Sequence, residues 1–295
     1  MQLEPEASPT WVSEKALTAA VTDSLSRIQP SFGVVAQDLF DSGAADLWGR
    51  AGKQTGAWST YLSTTAQPLV LCNNTGIASD FRFTFHELGH AIHYSHSAKD
   101  RPYWLQHATL DINEYVAYTI QCLGLRELAR EEVIRPAELS ELNLNSLMNA
   151  LDYIENLVAL EEFTHWVYAQ EAQNLTADEL DRAYLEASAG DGLDWSGLEP
   201  IKKKMWHTLR FIPMPFYASE YILAWVMAML GLERMDQDRT VGLEKFTQIL
   251  SHSEWGFSKV LSVWEINFPF DQDTLERVAK RLRQEFGFTN TGTLI

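Results

Sequence analysis

The segment TFHELGHAIH, residues 84–93, places three histidines and one glutamate within eight positions. His86 and His90 are four residues apart, so on a helix both imidazoles project from one face, a turn apart. This geometry suits two neighbouring positions of a tetrahedral zinc ion. Glu87 lies roughly 100° around the helix axis from His86 and would flank the metal without ligating it. We therefore expect Glu87 to be the general base that takes the proton of a zinc-bound water.

A catalytic zinc site of this kind needs a third protein ligand, and Glu114 is the candidate. It lies in the segment ATLDINEYVAYTIQCLGL, residues 108–125, on the same helical stripe as Leu110 and Ala117. A carboxylate on an inward-facing stripe is unfavourable unless it is paired or bound to a metal. Two histidines and one glutamate leave the fourth zinc position open, as catalysis requires. Asp111 is placed to hydrogen-bond the outer nitrogen of a ligand histidine.

The alternative interpretation is a helix that carries ordinary core histidines, since an HExxH match also arises by chance. Two observations favour the metal site. Four of the eight histidines lie between residues 86 and 96, and Glu114 follows on a predicted helix. Gly89 stands between the two ligand histidines, where glycine costs about 1 kcal/mol relative to alanine. We therefore expect another helix, carrying the third ligand, to approach closely at Gly89.

Helices dominate the predicted elements that position this motif. Residues 52–73 are the exception, because their glycines, proline and β-branched runs predict two short strands, near 57–63 and 69–73. The most apolar stretch, residues 221–232, is predicted as a buried helix because it is too short to span a bilayer. A long loop is expected at residues 188–200. The other helices are predicted at residues 13–28, at 136–172 as one long helix or two, at 176–187 and at 271–286.

Composition and charge narrow the function classes. The chain has 295 residues, 46% of them hydrophobic, which suffices for a full core, and we expect residues 1–295 to form a single domain. The net charge of −17 repels phosphate backbones, so no nucleic-acid partner is expected. Cys72 and Cys122 have no CxxC spacing, which favours reduced thiols in a cytoplasm. The N-terminal segment lacks an apolar signal core, and we expect no membrane anchor.

These residues together resemble the thimet oligopeptidase and oligoendopeptidase F group of gluzincin metallopeptidases. HELGHAIH is similar to that group's extended motif His-Glu-x-Gly-His-x-x-His, and Glu114 follows His90 by 24 residues, as its third zinc ligand does. Three further segments are similar to parts of these enzymes. The segment before the metal helix resembles GKQTGAWS, the strand that lines the groove resembles QPLVLCN, and a tyrosine-rich segment resembles MPFYASEYILA. The resemblance extends from about residue 12 to 285. It implies a mainly α, zincin-like helical catalytic domain with a small β-sheet next to the active-site helix.

The resemblance also implies roles for individual residues. It assigns zinc to His86, His90 and Glu114, with the glutamate of the motif as the base. Tyr217 and Tyr221 are four residues apart and so share a helical face, which makes them candidates to donate hydrogen bonds to the developing oxyanion. The alternative for these two tyrosines is an ordinary packing role in the core.

A second set of residues is implied to bind the peptide substrate. Its members lie in the glycine-containing segment before the metal helix, in the following strand, on the metal helix itself and before the tyrosine-rich segment. His93, one turn beyond the second ligand histidine, is expected to pack or hydrogen-bond beside the site and not to ligate. The set comprises Gly56, Ala57, Leu71, His93 and His207.

The sequence departs from the family pattern near the tyrosines. The family carries a histidine several residues before the first tyrosine, and here Phe211 or Ile212 stands in that place. Either His207, about one turn earlier, or Arg210 takes over the role, or this oxyanion contact is absent. Further upstream, Gln54 replaces the usual arginine and Trp58 the usual tyrosine. These replacements leave the substrate preference open.

The function predicted from the sequence is a zinc-dependent endopeptidase that hydrolyses oligopeptides. We expect a sheet edge near residues 69–73 to align an extended peptide through main-chain hydrogen bonds. Family members carry an additional N-terminal helical lobe that forms the other wall of a deep channel, so a separate N-terminal-lobe chain or a second copy is a possible partner. The alternatives are a zinc-retaining peptide-binding or regulatory protein with weak or no catalysis, or a related metallocarboxypeptidase.

Overall fold

Helices carry most of the chain. The computed structural model describes residues 12–98, 101–170, 175–190, 194–208, 217–267 and 270–286, without the side chains of residues 149, 152 and 153. The described helices are α1 (Glu14–Ile28), α2 (Pro30–Ser42), α3 (Asp80–Ser97), α4 (Leu110–Arg130), α5 (Pro136–Tyr168), α6 (Ala177–Ala187), α7 (Glu199–Lys202), α8 (Tyr217–Gln237), α9 (Arg239–Leu250), α10 (Phe257–Trp264) and α11 (Gln272–Glu285). The strands are β1 (Ala45–Trp48), β2 (Trp58–Leu62) and β3 (Gln67–Asn74). The predicted mainly α fold with a small sheet beside the metal helix is confirmed.

The chain divides into two compact units. The first comprises Met1–Asn145 with Ala224–Ile295, and the second comprises Ser146–Leu223. The sheet, α3 and α4 belong to the first unit, whereas the predicted oxyanion tyrosines belong to the second. The expectation that residues 1–295 act as a single domain therefore stays a prediction.

The sheet has the order β1-β3-β2, with β1 parallel and β2 antiparallel to β3. Along β3 every second side chain is buried, as expected for a strand with one face on the core. The main chain of Leu71 pairs with Asp46 on β1 and with Trp58 on β2. The expected sheet edge near 69–73 is therefore wrong, because β3 is the central strand and the edges are β1 and β2. A peptide cannot pair with the main chain of Leu71, although a contact with its side chain stays a prediction.

Helix α3 is held at its beginning by an aspartate and along its length by close packing on α4. Asp80 Oδ2 accepts hydrogen bonds from the amides of Thr75, Gly76 and Ile77, which joins the end of β3 to the first turn of α3. A Cβ atom at Gly89 would lie only 2.7 Å from Ala117 Cα on α4. The expected close approach of a second helix at Gly89 is confirmed.

Helix α4 is fixed from its other side by the C-terminal helices of the first unit. The indole of Trp264 on α10 donates a hydrogen bond to the hydroxyl of Tyr115 at 2.9 Å, and both side chains are buried. Arg126 pairs with Asp236 on α8 and with Glu285 on α11. These contacts restrict both sliding and rotation of the helix that carries Glu114.

The second unit has its own core. Trp206 donates to Asp181, and the buried Lys202 donates to the carbonyl of Ser188. Helix α6 begins with a capping box formed by Thr176 and Glu179. The buried core side chains are Leu157, Leu160, Phe163, Ala183, Tyr184 and Ala218.

Both predicted strands agree with the structure, since 57–63 corresponds to β2 and 69–73 to β3, and the helices predicted at 13–28, 176–187 and 271–286 correspond to α1, α6 and α11. The segment predicted as one helix or two is the single helix α5, and the apolar stretch 221–232 lies within α8. Strand β1 and helices α2, α7, α9 and α10 were not predicted individually. Both cysteines are free and buried. Among the described helices, none combines the length and the apolar character needed to cross a bilayer.

The close contact of α3 with α4 predicts the effect of adding a methyl group at residue 89. Gly89→Ala should lower the free energy of unfolding by about 2 kcal/mol. A Cβ atom 2.7 Å from a backbone atom places the change at the upper end of the overpacking cost of about 1–3 kcal/mol, and the gain in helix propensity offsets about 1 kcal/mol. Urea denaturation of the metal-free protein measures this change. Gly190→Ala is the matched control, since a Cβ atom there meets no atom within 4 Å. Equal stability of the two variants would contradict the packing argument.

Candidate metal centre and active site

Three side chains from α3 and α4 converge on one point in the first unit. His86 Nε2 lies 3.3 Å from Glu114 Oε2, and His90 Nε2 lies 3.7 Å from Glu114 Oε1. One ligand atom from each residue lies within 4.8 Å of the others. His90 and Glu114 are buried, and His86 is partly exposed. The helical spacing of the histidines and the Gly89 contact together produce this convergence.

The donor set fits a zinc ion. Two imidazoles and one carboxylate are the ligands of many catalytic zinc sites, whereas Mg²⁺ and Ca²⁺ prefer oxygen donors throughout. Metal ligation requires neutral imidazoles, and burial lowers the pKa of His90 to about 4, so this ring is neutral at pH 7. For His86, burial lowers the pKa, but the hydrogen bond and the charge of Glu114 outweigh it and raise the pKa above its ordinary value. A bound cation would replace that proton between His86 and Glu114.

Glu87 lies beside the three candidate ligands and is only 5% exposed. Its Oε2 atom has no hydrogen-bond partner among the described residues. Burial raises the pKa of Glu87 to about 7, with His86 lowering it and Glu114 raising it further. A buried carboxylate oxygen without a protein donor is unfavourable unless a ligand, a water molecule or a cation satisfies it. This arrangement suits a group that exchanges a proton with a small molecule at the site.

His93 lies on α3 and contacts the first turn of α4. It is 1% exposed, and its Nδ1 atom lies 3.2 Å from Asn113 Oδ1. Asn113 Nδ2 in turn donates to the hydroxyl of Tyr94 at 3.1 Å. The expected role of His93 beside the substrate stays a prediction. Asn113 was not predicted from the sequence. Its position directly before Glu114, in the first turn of α4, is the signal that could have identified it.

An aromatic side chain lies next to His86, the first candidate ligand. The ring of Tyr118 lies 5.0 Å from the ring of His86 and stacks on Trp225 at 4.0 Å. Tyr118 was missed, although it lies one helical turn after Glu114 and so shares its face. Asp111 is buried in the first turn of α4, and its hydrogen bond to a ligand histidine stays a prediction.

Hydrogen bonds of Lys53 hold the segment that contains Gly56 and Ala57 against the sheet. Lys53, whose side chain is 2% exposed, donates to the carbonyls of Asp46, Trp48 and Cys72 at 2.9, 2.8 and 2.5 Å. Gly56 has a φ of 92°, which a glycine adopts without strain. Segment 53–57 is therefore held in one conformation next to β2.

Two consecutive asparagines join this segment to the metal helix. Asn73 Nδ2 donates to the carbonyls of Gln54 and Gly56 at 2.8 and 2.7 Å. Asn74 Nδ2 donates to Thr84 Oγ1 on α3 at 3.0 Å, two residues before His86. The end of β3 thus links the expected substrate segment to the expected metal ligands. The roles of Gly56 and Ala57 in substrate binding stay predictions.

The remaining predicted residues lie in the second unit. Tyr217 and Tyr221 lie in the first turns of α8, with their hydroxyls hydrogen-bonded to each other and their ring centroids 5.2 Å apart. His207 is exposed on a 3-10 turn and packs on Trp206. Arg210, Phe211 and Ile212 lie outside the described residues. The proposed roles of the two tyrosines and of His207 stay predictions.

The buried lysine gives a stability prediction. Lys53→Met should lower the free energy of unfolding by about 2–4 kcal/mol, because three carbonyls and Asp46 lose a charged donor in one step. The midpoint of urea denaturation is the measurement. Lys15→Met on the exposed surface of α1 is the matched control and should change the midpoint little. A loss no larger than that of the control would show that Lys53 does not hold this segment.

Comparisons with known proteins agree with the geometry. The sequence matches peptidase family M3 over residues 31–276. No curated protein sequence matches the chain significantly. Similar solved structures include PZ peptidase A with an inhibitor (19% identity, TM-score 0.79, covering 97% of this chain and 51% of that chain). A candidate oligoendopeptidase F from Bacillus anthracis str. Ames is similarly related (18% identity, TM-score 0.77, covering 98% and 49%).

The likeness to these structures concerns the fold, and the chain spans about half the length of each of them. The family match, in contrast, extends over most of the chain and includes α3 and α4. The metal triad and the glutamate between its histidines lie within the matched residues. The chain therefore belongs to peptidase family M3.

Proposed function

We propose that the chain is a zinc metallopeptidase catalytic domain, residues 1–295, that hydrolyses internal peptide bonds of oligopeptides. The observation that carries this proposal is the convergence of His86, His90 and Glu114 beside the buried carboxylate of Glu87. Two imidazoles and a carboxylate with an adjacent unpaired base fit metal-assisted hydrolysis better than a structural metal site, which is closed by four protein ligands.

The proposed mechanism assigns each step to a residue of the chain. A zinc ion held by the three ligands would polarise the scissile carbonyl and lower the pKa of a coordinated water to about 7. Glu87 accepts a proton from the attacking water through its unpaired oxygen and returns it to the leaving amine nitrogen. Tyr217 and Tyr221 are proposed, from the family resemblance, to donate hydrogen bonds to the oxyanion.

The substrate is proposed to lie along β2 and not along β3. Both edges of β3 are paired, whereas β2 pairs on one side only among the described strands. β2 packs against α3, while the other edge strand, β1, packs against α2. An extended peptide could therefore add to the outer edge of β2 next to the metal helix. Gly56 and Ala57 lead directly into that strand, which supports their proposed role in substrate binding.

The cellular location and the partner of the enzyme are proposed on fewer observations. The two free, buried cysteines fit a reducing compartment, so we propose a cytoplasmic location. Because the chain spans about half the length of its solved relatives, we also propose that a separate lobe chain or a second copy completes the substrate channel. The residue Phe211 or Ile212, in the place of the family's histidine before Tyr217, supports a second candidate function, a zinc-retaining peptide-binding protein with weak or no catalysis.

Removing the base tests the main proposal. Glu87→Gln should retain zinc and lower cleavage of a quenched fluorescent peptide library by about 10²–10⁴-fold, the usual contribution of a positioned base. Zinc content and cleavage are measured together, with and without a chelator, and mass spectrometry of the product ends separates endopeptidase from carboxypeptidase action. Glu186→Gln, on the exposed face of α6, is the matched control. Undiminished turnover in Glu87→Gln would contradict the mechanism, and a lack of chelator-sensitive cleavage by the unaltered protein would favour the binding protein.

Removing the third ligand tests the metal site separately from activity. Glu114→Gln should weaken zinc binding by more than about 100-fold, because even the loss of a partner outside the ligand shell costs about 10–100-fold. Equilibrium dialysis with elemental analysis measures the dissociation constant. Zinc should also raise the melting temperature of the unaltered protein and of Glu186→Gln, but not that of Glu114→Gln. Equal zinc affinity of the two variants would exclude Glu114 as a ligand.

A further inference from the structure

Arg82 is a cation on the metal helix that no described residue neutralises. It lies on α3 four residues before His86 and therefore on the same face of the helix. Its side chain is half-buried, yet it makes no hydrogen bond and no ion pair with any described residue. A charge withdrawn from water without a partner is unfavourable. This is unexpected in a chain with 40 acidic and only 23 basic residues.

Other arginines of the chain form ion pairs with carboxylates and so provide a comparison for Arg82. Arg50 pairs with Asp46, Arg126 with Glu285 and Arg135 with Glu138. These contacts raise the pKa of all three arginines. For Arg82 the direction is opposite, because burial lowers its pKa and only the phenol of Tyr118 opposes this. Arg82 thus has the burial of a binding-site arginine without the carboxylate that usually accompanies it.

Aromatic side chains hold the guanidinium of Arg82 beside the metal ligands. Arg82 Cζ lies 4.3 Å from the centroid of Phe83, whose ring is 43% exposed. Tyr118 interacts electrostatically with Arg82 and also lies 5.0 Å from the ring of His86. A guanidinium stacked on an aromatic ring keeps its N–H groups available for a planar anion such as a carboxylate.

We infer that Arg82 binds a carboxylate of the peptide substrate and so sets the preference of the site for acidic peptides or peptide termini. The inference rests on the proposed peptidase function. Four helical residues advance about 6 Å along the axis, and each residue of an extended peptide advances about 3.3 Å. The carboxylate therefore lies within about two substrate residues of the bond held at the metal ligands. Its source is either the free C-terminus of the peptide or an acidic side chain.

Peptide pairs that differ in one carboxylate test this assignment. A peptide cleaved by the unaltered protein is prepared with a C-terminal acid or amide, and with aspartate or asparagine at each position within two residues of the cleaved bond. The dissociation constant of each peptide is measured by calorimetry in the Glu87→Gln background, and kcat/KM is measured with the active enzyme. Charge-assisted hydrogen bonds predict that one pair differs by about 10–100-fold in favour of the carboxylate.

The variants show whether Arg82 causes that preference. Arg82→Gln should bring the ratio within the pair towards one, and Arg82→Lys should keep part of it because the charge remains without the planar fork. Arg277→Gln, which removes a surface arginine paired with Glu233, should keep the full ratio. Zinc content and the melting temperature of each variant show that it is folded. If Arg82→Gln does not fold, the ratio is read from Arg82→Lys.

The outcomes separate this inference from the proposed function. If Arg82→Gln removes the preference for the C-terminal acid over the amide, the peptide terminus is the source of the carboxylate. If it removes the preference for aspartate over asparagine, an acidic side chain is the source. An unchanged ratio in Arg82→Gln, or equal binding of both members in every peptide pair, overturns the inference. If no peptide of the library is cleaved, the acid and amide forms of a library peptide that binds are compared by calorimetry alone. Stronger binding of the acid that is lost in Arg82→Gln then supports carboxylate recognition by Arg82 while the peptidase function fails.

Discussion

The candidate site depends on how closely α3 approaches α4. The two histidines come from one helix and their spacing is a local property, but Glu114 reaches them only because Gly89 lets the backbone of Ala117 come near. A side chain at residue 89 would have to push α4 away, and the third donor would move with it. Tyr115, bonded to Trp264, and the ion pairs of Arg126 hold α4 from the opposite side. The candidate metal centre thus depends on helix packing within the first unit.

Close packing brings the donors together at an electrostatic cost that the protein side chains do not fully remove. Glu87 and Glu114 are both buried, and the burial that lowers the pKa of His90 also raises the pKa of Glu87. Two buried carboxylates beside two imidazoles favour either protonation or a cation. A divalent ion satisfies all these groups at once, so the same arrangement that destabilises the metal-free site favours metal binding. Arg82, one turn away, adds positive charge to the approach to this site without neutralising either carboxylate.

The sequence predicts the parts of the site that depend on helical periodicity. The pair His86 and His90 follows from i,i+4 spacing, and Glu114 follows from a stripe on the next helix. Strand order cannot be read in this way, because β1 and β3 are neighbours in the sheet but distant in the chain. This is why residues 69–73 were wrongly expected at an edge. The burial of His93 and the absence of a partner for Arg82 also depend on packing between elements, which a single sequence does not reveal.

The central position of β3, which the sequence analysis did not anticipate, explains how a small sheet serves the site. Consecutive side chains of a strand point to opposite faces, and Asn73 and Asn74 use this alternation. The side-chain amide of Asn73 donates to carbonyls of segment 53–57, and that of Asn74 donates to Thr84 on the metal helix. A shift of β3 by one residue would exchange these two directions and break both connections. The register of one buried strand therefore sets where the segment leading into β2 lies relative to the metal ligands, and an edge strand in the same place would be free to slip.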